Sequence, residues 1–480
     1  MSTKRRDFLK LSSLSGLGLL GSSLIGKAAG FNEDSGLYDE SDSGAPRFNM
    51  SGYGAPKIEN VRIGFIGLGM RGPTHVYGFS HVEGTQVVGL CDIRKEKVDA
   101  MEKQLAGTRH KPESYSGDAN AWKKMCDRPD IDLIVIATPW DQHVEQAVYA
   151  MNAGKHVAIE VPAAKTLKEC WDLVKTSERT KKHCMMMENC CYDFFELVTL
   201  NMARQGFFGD IVHGEGAYIH DLLDLNFAKN GYWDMWRLKE NFRNGNIYAT
   251  HGLGPIAQIM NINRGDKMVN LTSTSGADFS MEKQANELAA KDPFFAPYAN
   301  KKYRGNMNIT NIDTELGRTI TLFHDVSSPG PYSRIHLVMG TKERALKYPE
   351  PAKISKGHAW MNNDEFKQAQ EKFTPPIIKL VGEMAKKIGG HGGMDFIMQW
   401  HLIDCLRNGL PLDQDVYDCA LWSAVSPLSE WSVARNGKSI KVPDFTKGNY
   451  KTNAPVDLNL KGGDTKVTAS IGKKLFSEFA

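Results

Sequence analysis

An apolar, strand-like run passes into three spaced glycines in the stretch Val61-Arg-Ile-Gly-Phe-Ile-Gly67-Leu-Gly69-Met-Arg-Gly72. Gly67 permits a tight turn after a strand, Gly69 lets the backbone approach a pyrophosphate, and Gly72 lets the next helix pack closely. The N-terminus of that helix offers unpaired N–H groups to phosphate. The stretch predicts a dinucleotide site in a parallel sheet; the alternative is a plain glycine-rich turn.

The residue that ends the next strand-like run indicates which dinucleotide is bound. Asp92 stands where such sites have a carboxylate that binds ribose hydroxyls. Because a carboxylate repels a 2′-phosphate, we expect NAD rather than NADP. Arg94 weakens this preference, since it would attract a phosphate. A helix-capping role is the alternative for Asp92.

The composition is that of a globular protein without strongly charged partners. Of the 480 residues, 41% are hydrophobic and 24% are charged, which suffices for two or three cores. The 59 basic and 56 acidic residues are intermixed, so no field arises that would suit nucleic acid. The composition therefore favours small neutral binding partners over nucleic acid.

The N-terminus resembles a twin-arginine export signal, which we place over residues 1–30. It reads Lys4-Arg-Arg-Asp-Phe-Leu-Lys10, and a weakly apolar run rich in glycine and serine follows from Leu11 to Ile25. An ordinary secretory signal or a buried helix is the alternative. The apolar run is too short to span a bilayer, so we expect a periplasmic protein without a stable membrane anchor. Export after folding would allow a cofactor to be loaded first.

The cysteines predict neither a disulfide framework nor a metal centre. No CxxC pair occurs, and several of the cysteines lie in apolar contexts where the thiol acts as a small hydrophobe. The eight positions are Cys91, Cys126, Cys170, Cys184, Cys190, Cys191, Cys405 and Cys419.

The order of apolar patterns predicts two domains behind a flexible linker over residues 31–57. From 58 to 189 strand-like runs alternate with helical ones, which predicts a doubly wound, parallel Rossmann sheet. Residues 190–452 carry longer amphipathic strands, which predict an α+β domain with a large, open, mainly antiparallel sheet. Two long polar segments, 221–246 and 276–311, are expected to shape a site. A polar tail follows over residues 453–480.

Three strand ends of the predicted Rossmann domain carry polar or aromatic residues that would meet in one crevice. The fourth strand ends in Ala137-Thr-Pro-Trp-Asp-Gln-His143, the fifth in Glu160-Val-Pro-Ala-Ala164 and the sixth in Glu188-Asn189. Each one alone could equally be a strand terminus with a helix cap.

Together these strand ends resemble the Gfo/Idh/MocA superfamily of sugar-oxidising proteins. Most dehydrogenases of that group have Glu-Lys-Pro after the fifth strand, and the lysine assists proton transfer from the hydroxyl that is oxidised. Val161 occupies that position here, which argues against a simple sugar dehydrogenase.

A more specific resemblance, from about Val61 to Thr446, is to glycoside hydrolase family 109, typified by NAD-dependent α-N-acetylgalactosaminidases. Its ordered motifs are Thr138-Pro-Trp-Asp-Gln-His143, Glu160-Val-Pro-Ala-Ala164, Glu188-Asn-Cys-Cys-Tyr192, Tyr218-Ile-His-Asp221, Trp236-Arg237, Tyr248-Ala-Thr-His-Gly-Leu-Gly-Pro255, Ile262-Asn-Arg-Gly265, Pro331-Tyr332, Gly390-His-Gly-Gly-Met-Asp395 and Pro443-Asp-Phe-Thr446. The chain departs from the family's usual residues at Asp193, Leu223 and Ala249, which leaves the N-acetyl group and the anomer of the substrate open.

The resemblance implies two sets of binding residues. Contacts with NAD are implied, beside the three glycines, for Met70, Arg71, Asp92, Trp140, Asp141, Gln142, His143, Glu160, Val161 and Asn189. Contacts with a carbohydrate are implied for Tyr218, Arg237, Tyr248, Ala249, Thr250, His251 and Tyr332. Self-association through the open face of the second sheet is also compatible with it.

The resemblance further implies a redox route to hydrolysis. NAD takes a hydride from C3, a base removes the acidified C2 proton, the aglycone is eliminated, water adds, and the hydride returns. We choose His251 as an acid or base because imidazole titrates near neutral pH. Tyr248, Tyr192 and Glu160 are unranked helpers. An exported sugar oxidoreductase with tightly held NAD(P), or a catalytically silent sugar-binding protein, remains the alternative.

Overall fold

The first part of the chain forms a parallel sheet because short apolar strands alternate with helices that cover both faces. The computed structural model describes residues 48–468; the predicted signal, most of the predicted linker and the last twelve residues lie outside them. The first elements are β1 (Val61–Ile66), α1 (Gly72–Ser80), β2 (Thr85–Asp92), α2 (Lys95–Leu105), β3 (Glu113–Ser116), α3 (Ala121–Cys126), β4 (Leu133–Ile136), α4 (His143–Asn152), β5 (His156–Ile159), α5 (Leu167–Thr180) and β6 (Cys184–Met186).

These six strands confirm the predicted Rossmann sheet. Their order is β3-β2-β1-β4-β5-β6, and every pair is parallel. The order reverses between β1 and β4, and open sheets of this type bind ligands beyond the carboxyl ends of the strands at such a point. The strand ends with polar residues therefore lie on the side where a ligand is expected.

The second part contains a larger sheet and most of the helical mass. Its elements are α6 (Phe194–Arg204), β7 (Ile211–Ile219), α7 (Leu223–Phe227), α8 (Trp236–Glu240), α9 (Thr250–Ile259), β8 (Met268–Ser275), α10 (Met281–Lys291), β9 (Asn308–Thr314), β10 (Thr319–Asp325), β11 (Leu337–Gly340), β12 (Arg344–Leu346), β13 (Lys353–Lys356), β14 (Ala359–Trp360), α11 (Asn363–Phe373), α12 (Pro376–Ile388), α13 (Met394–Asn408), α14 (Val416–Ala434) and β15 (Ile440–Lys441).

The second sheet has nine strands in the order β14-β13-β12-β11-β7-β10-β9-β8-β15. It is mainly antiparallel, as the sequence predicts, and one of its central pairs is parallel. Strands β7 and β10 run parallel, with Thr319 opposite His213. The chain between them passes through four helices and two further strands, which is long enough for the crossover that a parallel pair needs.

Helix α9, which carries the predicted catalytic histidine, lies directly against strand β7. The close approach depends on two glycines: a Cβ on Gly216 would lie 2.7 Å from the Cα of Gly252. Such a contact leaves no room for a side chain at either position. The start of α9 is thereby fixed over the end of β7, where Tyr218 lies.

Both ends of the described chain pack on the body of the protein. In the last ten residues of the predicted linker, Met50 and Ala55 are buried, so a flexible linker over 31–57 is wrong for this part. In the predicted tail, the carbonyl of Thr465 accepts a hydrogen bond from Trp400 Nε1 at 3.0 Å. The sequence did not indicate that these few residues pack on the protein, because glycine, serine and asparagine dominate the segments around them.

All eight cysteines are free and buried. Burial raises the pKa of the thiols of Cys91 and Cys126 to about 12. Within residues 48–468, none of the helices combines the length and the apolar character that crossing a membrane requires.

Candidate active site

The glycine turn between β1 and α1 has the shape that a bound pyrophosphate requires. Gly67 has a φ of 91°, and a Cβ there would lie 2.6 Å from the carbonyl oxygen of Ala137. A Cβ on Gly72 would collide with the carbonyl of Gly67. By contrast, a Cβ on Gly69 would have a single neighbour within 4 Å, Arg94 Nη2 at 3.7 Å. The space above Gly69 is therefore open, and the turn fits a dinucleotide phosphate.

Asp92 is held at the end of β2 by the turn itself. Its Oδ2 accepts a hydrogen bond from the backbone N–H of Leu68 at 2.7 Å, and its Oδ1 accepts one from the N–H of Arg94 at 2.9 Å. The guanidinium of Arg94 lies 4.8 Å from the ring centre of Trp233, which belongs to the second part of the chain. We call residues 232–237, which include Trp233, the strap.

The strap connects the Asp92 region to an aromatic cluster. At one end Trp233 covers Arg94, and at the other Trp236 packs edge-on against Trp140, with ring centres 5.2 Å apart. Asp234 and Met235, between them, have φ values of 51° and 53°, a left-handed conformation that non-glycine residues rarely adopt. The strap thus spans the carboxyl ends of β2 and β4 in a defined conformation.

A buried charge network lies behind the glycine turn. Arg71 joins two carboxylates, with Nε 2.8 Å from Glu160 Oε1 and Nη1 3.0 Å from Asp395 Oδ2. His75 Nε2 lies 2.6 Å from Glu160 Oε1, and Asn189 Nδ2 donates to Asp395 Oδ1 at 2.6 Å. The network ties together the ends of β1, β5 and β6, so Arg71, Glu160 and Asn189 lie close together.

The same network favours a fixed charge at Glu160 over a proton relay. Burial by itself raises the pKa of Glu160, but the charges of Arg71 and His75 outweigh burial and hold the pKa well below its usual range. Glu160 is therefore a fixed anion near neutral pH. We assign it to the support of the cofactor crevice.

The residues after β4 divide into packed and exposed ones. Trp140 is buried and stacks on Tyr248, with ring centres 5.6 Å apart. His143 lies between two backbone carbonyls, Nδ1 being 2.9 Å from Pro162 O and Nε2 2.8 Å from Thr138 O. His143 thus braces the ends of β4 and β5. Asp141 and Gln142 are exposed, as is Met70 in the glycine turn, while Val161 is buried.

Most of the residues with an implied carbohydrate role form one group, which we call the aromatic cage: Tyr218, Tyr248, His251, Tyr332 and Arg237. The ring centre of Tyr218 lies 4.4 Å from that of Tyr248, 5.4 Å from His251 and 6.1 Å from Tyr332. The Arg237 guanidinium lies 4.8 Å from the Tyr248 ring centre. Ala249 and Thr250 are buried at the start of α9.

His251 has a partner for which the sequence predicted no role. Its Nδ1 lies 2.7 Å from Oε1 of Glu188, whose side chain is completely buried. Burial raises the pKa of Glu188, but the contacts with His251, Thr250 and the N–H of Cys190 together outweigh burial and lower it. The position of Glu188 at the end of β6 was the available signal, because that end faces the crevice.

A group of atoms that could hold a metal ion occurs at the same place. Ligand atoms of Glu188, Cys190 and His251 lie within 4.8 Å of one another. The hydrogen bond between Glu188 and His251 accounts for the closest approach. Burial raises the pKa of the Cys190 thiol well above its usual value, so it is a poor source of the thiolate that binds metals.

Tyr192, in contrast, does not join the aromatic cage. Its hydroxyl donates to Asp413 Oδ1 at 2.5 Å, and its ring lies against His401, with ring centres 6.0 Å apart. A short helical turn over residues 189–192 directs Asn189 towards Arg71's network and Tyr192 away from it. The structure therefore does not support Tyr192 as a helper of His251.

Asp193, one of the departures from the family, is part of a buried four-charge cluster. Its oxygens lie 2.9 Å from Arg334 Nη2 and 2.6 Å from Lys347 Nζ, and Glu196 contacts the same two cations. Arg334 Nη1 in turn donates to the hydroxyl of Tyr332 at 3.3 Å. Asp193 acts on the cage through this chain of contacts. The sequence could not predict this contact, because Asp193 and Arg334 are about 140 residues apart.

The fold and the site define a protein with a nucleotide-binding Rossmann half and an aromatic pocket in its second half. Residues 61–188 match the model of the oxidoreductase family with an NAD-binding Rossmann fold, and residues 192–452 match the C-terminal domain of glycosyl hydrolase 109. The chain is 46% identical to glycosyl hydrolase family 109 protein 1 of Bacteroides thetaiotaomicron, over 82% of this chain and 86% of the relative. It is 44% identical to a family 109 protein of Solibacter usitatus, over 95% and 99%.

The chain therefore belongs to glycosyl hydrolase family 109, and it is a glycosidase with an NAD(P)-binding domain. Solved structures support the fold. Scyllo-inositol dehydrogenase of Lactobacillus casei with bound NAD(H) superposes with a TM-score of 0.56 at 14% identity, covering 80% of this chain and 99% of the other. Aldose-aldose oxidoreductase of Caulobacter crescentus gives 0.58 at 15%, covering 80% and 100%.

Proposed function

We propose that this protein is an exported glycosidase that uses tightly held NAD and hydrolyses α-N-acetylgalactosaminides or a related class of terminal glycosides. One observation carries the proposal: Trp140, which follows β4 of the nucleotide-binding half, stacks on Tyr248 of the aromatic cage. A sugar in the cage would therefore lie next to the dinucleotide crevice. The cage offers tyrosines, an arginine and a histidine, and most glycosidases use two flanking carboxylates instead.

The residues of the chain divide the chemistry between them. When bound, the cofactor would supply a place to store a hydride from sugar carbon C3. Removal of this hydride makes the neighbouring C2 proton more acidic until the hydride returns. His251 is placed to accept the C2 proton, after which the aglycone leaves by elimination and water adds. Arg237 and the tyrosine hydroxyls of the cage would bind the sugar hydroxyls.

Retention of the cofactor would follow from the residues around the glycine turn. Gly69 leaves room for the pyrophosphate, and the strap covers Arg94 beside it.

The preference for NAD over NADP rests on Asp92. Because Arg94 is already stacked on Trp233 and hydrogen-bonded to Asp92 through Nε at 3.3 Å, its attraction for a 2′-phosphate is reduced.

Export to the periplasm by the twin-arginine route is part of the same proposal. A protein that leaves the cytoplasm folded can carry its nucleotide with it. Without a pool of nucleotide to exchange with, a reaction that returns the cofactor to its starting state is favoured over net oxidation. The motif at Arg5-Arg6 supports this route.

A panel of aryl glycosides, combined with mass detection of nucleotide in the purified protein, tests the proposal. We expect release of the aryl group from α-N-acetylgalactosaminides or close relatives, and exchange of C2 deuterium with solvent during hydrolysis. Hydrolysis with complete retention of C2 deuterium would contradict the mechanism. Stoichiometric sugar oxidation would indicate an oxidoreductase, and binding without turnover a sugar-binding protein.

A further inference from the structure

The contact between Glu188 and His251 fixes which nitrogen of the imidazole faces the aromatic cage. Glu188 lies at the end of β6 in the nucleotide-binding half, whereas His251 lies in the first turn of α9 in the second half. The 2.7 Å contact uses Nδ1 of the histidine. No described residue forms a hydrogen bond with Nε2 of His251, and the ring centres of Tyr248 and Tyr218 lie 4.9 and 5.4 Å from the imidazole.

We propose that Glu188 is a positioning residue, which holds His251 as the tautomer protonated on Nδ1 and leaves Nε2 free to accept a proton from the substrate. A carboxylate without its proton is only an acceptor, so the hydrogen of the shared bond belongs to the histidine. The neutral imidazole then has its lone pair on Nε2. This inference rests on the proposed function for its catalytic meaning, but the tautomer itself is independent of it.

Neighbouring atoms hold the carboxylate of Glu188 in a fixed position. The backbone N–H of Cys190 donates to the same Oε1 at 3.1 Å, which holds the carboxylate in place from its own turn. A Cβ on Gly254 would lie 2.9 Å from Cγ of Glu188, so helix α9 also packs directly against this side chain. Glu188 is therefore positioned by both halves of the protein before any substrate binds.

The inference gives the substitution Glu188→Gln a specific effect. The amide of glutamine can donate a hydrogen bond to Nδ1, which favours the tautomer protonated on Nε2. His251 then presents a donor to the substrate where it needs an acceptor. We expect turnover to fall by about a hundredfold or more, as in triads where the orienting carboxylate becomes an amide. The nucleotide content should stay unchanged, and Glu188→Asp should recover part of the rate.

The measurement that tests the tautomer directly is nitrogen NMR of the histidine side chains in the full, nucleotide-loaded protein. The His251 signals are assigned by their loss in His251→Ala. We expect wild-type His251 to carry its hydrogen on Nδ1, and Glu188→Gln to shift it to Nε2. A wild-type protein with the hydrogen on Nε2 would overturn the proposal, even if the variant fails to fold.

A matched control is available in the pair of Asp413 and His401. These side chains are also a carboxylate and an imidazole, both only partly buried, with Nδ1 of His401 3.2 Å from Asp413 Oδ2, and they lie outside the cage. Asp413→Asn should leave the tautomer of His251 and the pH profile of kcat/KM unchanged, whereas Glu188→Gln should move the profile. Equal effects of the two variants would indicate a structural role only.

The ionisable groups around His251 influence how kcat/KM depends on pH. They are Glu188 and Cys190 after β6, Tyr218 in β7, His220 directly after β7, and Tyr248 before α9. Arg237 from α8 lies over the ring of Tyr248. Treatment with a chelator separates the positioning role from metal binding. We expect no loss of activity, and a loss that zinc restores would overturn the proposal.

These outcomes distinguish the inference from the proposed function. If wild-type His251 is protonated on Nδ1 but no glycoside is hydrolysed, the positioning role stands and the proposed substrate fails. If glycosides are hydrolysed and Glu188→Gln retains wild-type turnover, the proposed function stands and the positioning role fails.

Discussion

His251 is held between two tyrosine rings and a buried carboxylate, and none of these contacts involves the glycine turn. Replacing it should therefore separate nucleotide binding from turnover. We expect His251→Ala to keep its bound nucleotide and to lose most of its activity, by about 100-fold or more, because a positioned acid or base contributes that much. Rates on aryl glycosides and nucleotide mass in the same preparation provide the check.

The control for this substitution is His358→Ala, at an exposed position in the hairpin of β13 and β14. It should match the wild type in both measurements. Wild-type rates in a well-folded His251→Ala protein would remove this residue from the mechanism.

Gly69 offers a second substitution at the residue scale, because the structure leaves space for a side chain that a bound pyrophosphate would fill. We expect Gly69→Leu to fold normally and to lose its nucleotide. Gly330→Leu is the control, since a Cβ there would have no neighbour within 4 Å. Thermal unfolding and nucleotide mass are the two measurements. Full nucleotide occupancy in Gly69→Leu would overturn the assignment of the phosphate site.

The sequence located single residues best where one motif fixes their position. The glycines lie in the turn between β1 and α1, and Asp92 lies at the end of β2, as that motif predicts. Glu188 could be located at a strand end, but its partner is 63 residues away and no local pattern connects them. Tyr192 shows the converse: its neighbours in the motif face the crevice, while the turn that carries it points its ring elsewhere.

At the scale of elements, the strap contacts the Asp92 region through Trp233 and the aromatic cage through Arg237. We expect Trp233→Ala to release nucleotide about three to ten times faster, which corresponds to the loss of one cation–π contact of about 0.5–1.5 kcal/mol. The rate is measured by adding an enzyme that consumes free NAD and following the nucleotide that remains bound.

Trp360→Ala is the matched control for the strap, because Trp360 is similarly exposed, 44% against 52% for Trp233, and lies on the edge strand β14. It should release nucleotide at the wild-type rate. Equal rates for both variants would show that the strap does not retain the cofactor.

Element boundaries were predictable in the Rossmann half because its strands are short, apolar and fully buried. Helix α2, for example, runs from Lys95 to Leu105, and its buried positions Val98, Met101 and Leu105 have the spacing of one helix face. The sequence does not locate strand β3, Glu-Ser-Tyr-Ser, because this edge strand has no buried position and so no apolar run. The parallel pairing of β7 and β10 depends on the path of a long connection, which periodicity does not reveal.

Across the whole molecule, several histidines are buried in a neutral form, which makes stability depend on pH. Burial lowers the pKa of His110 and His183 to about 4 and that of His336 to about 3. In the unfolded chain these groups titrate near 6.5, so the unfolded state binds more protons between those values. The stabilisation is complete above about pH 6.5 and is lost as pH falls towards 4, by up to about 1.4 kcal/mol per pH unit and group.

Urea unfolding between pH 7.5 and 4.5 measures this loss. His336 donates or accepts a hydrogen bond with Thr199 Oγ1 at 2.8 Å, so His336→Asn keeps a polar partner but removes the titration. We expect the variant to be less stable at pH 7.5 and to lose less free energy of unfolding on acidification. Parallel curves for variant and wild type would contradict the assignment.

The eight buried thiols have a consequence for how this molecule can be handled and made. Since none of them is joined to another, the native fold needs no oxidant to complete it and should be indifferent to dithiothreitol. The same burial shields every sulfur from alkylating reagents until the structure opens. The rate at which iodoacetamide labels each cysteine, measured by mass spectrometry, would therefore report how fast the structure around that cysteine opens.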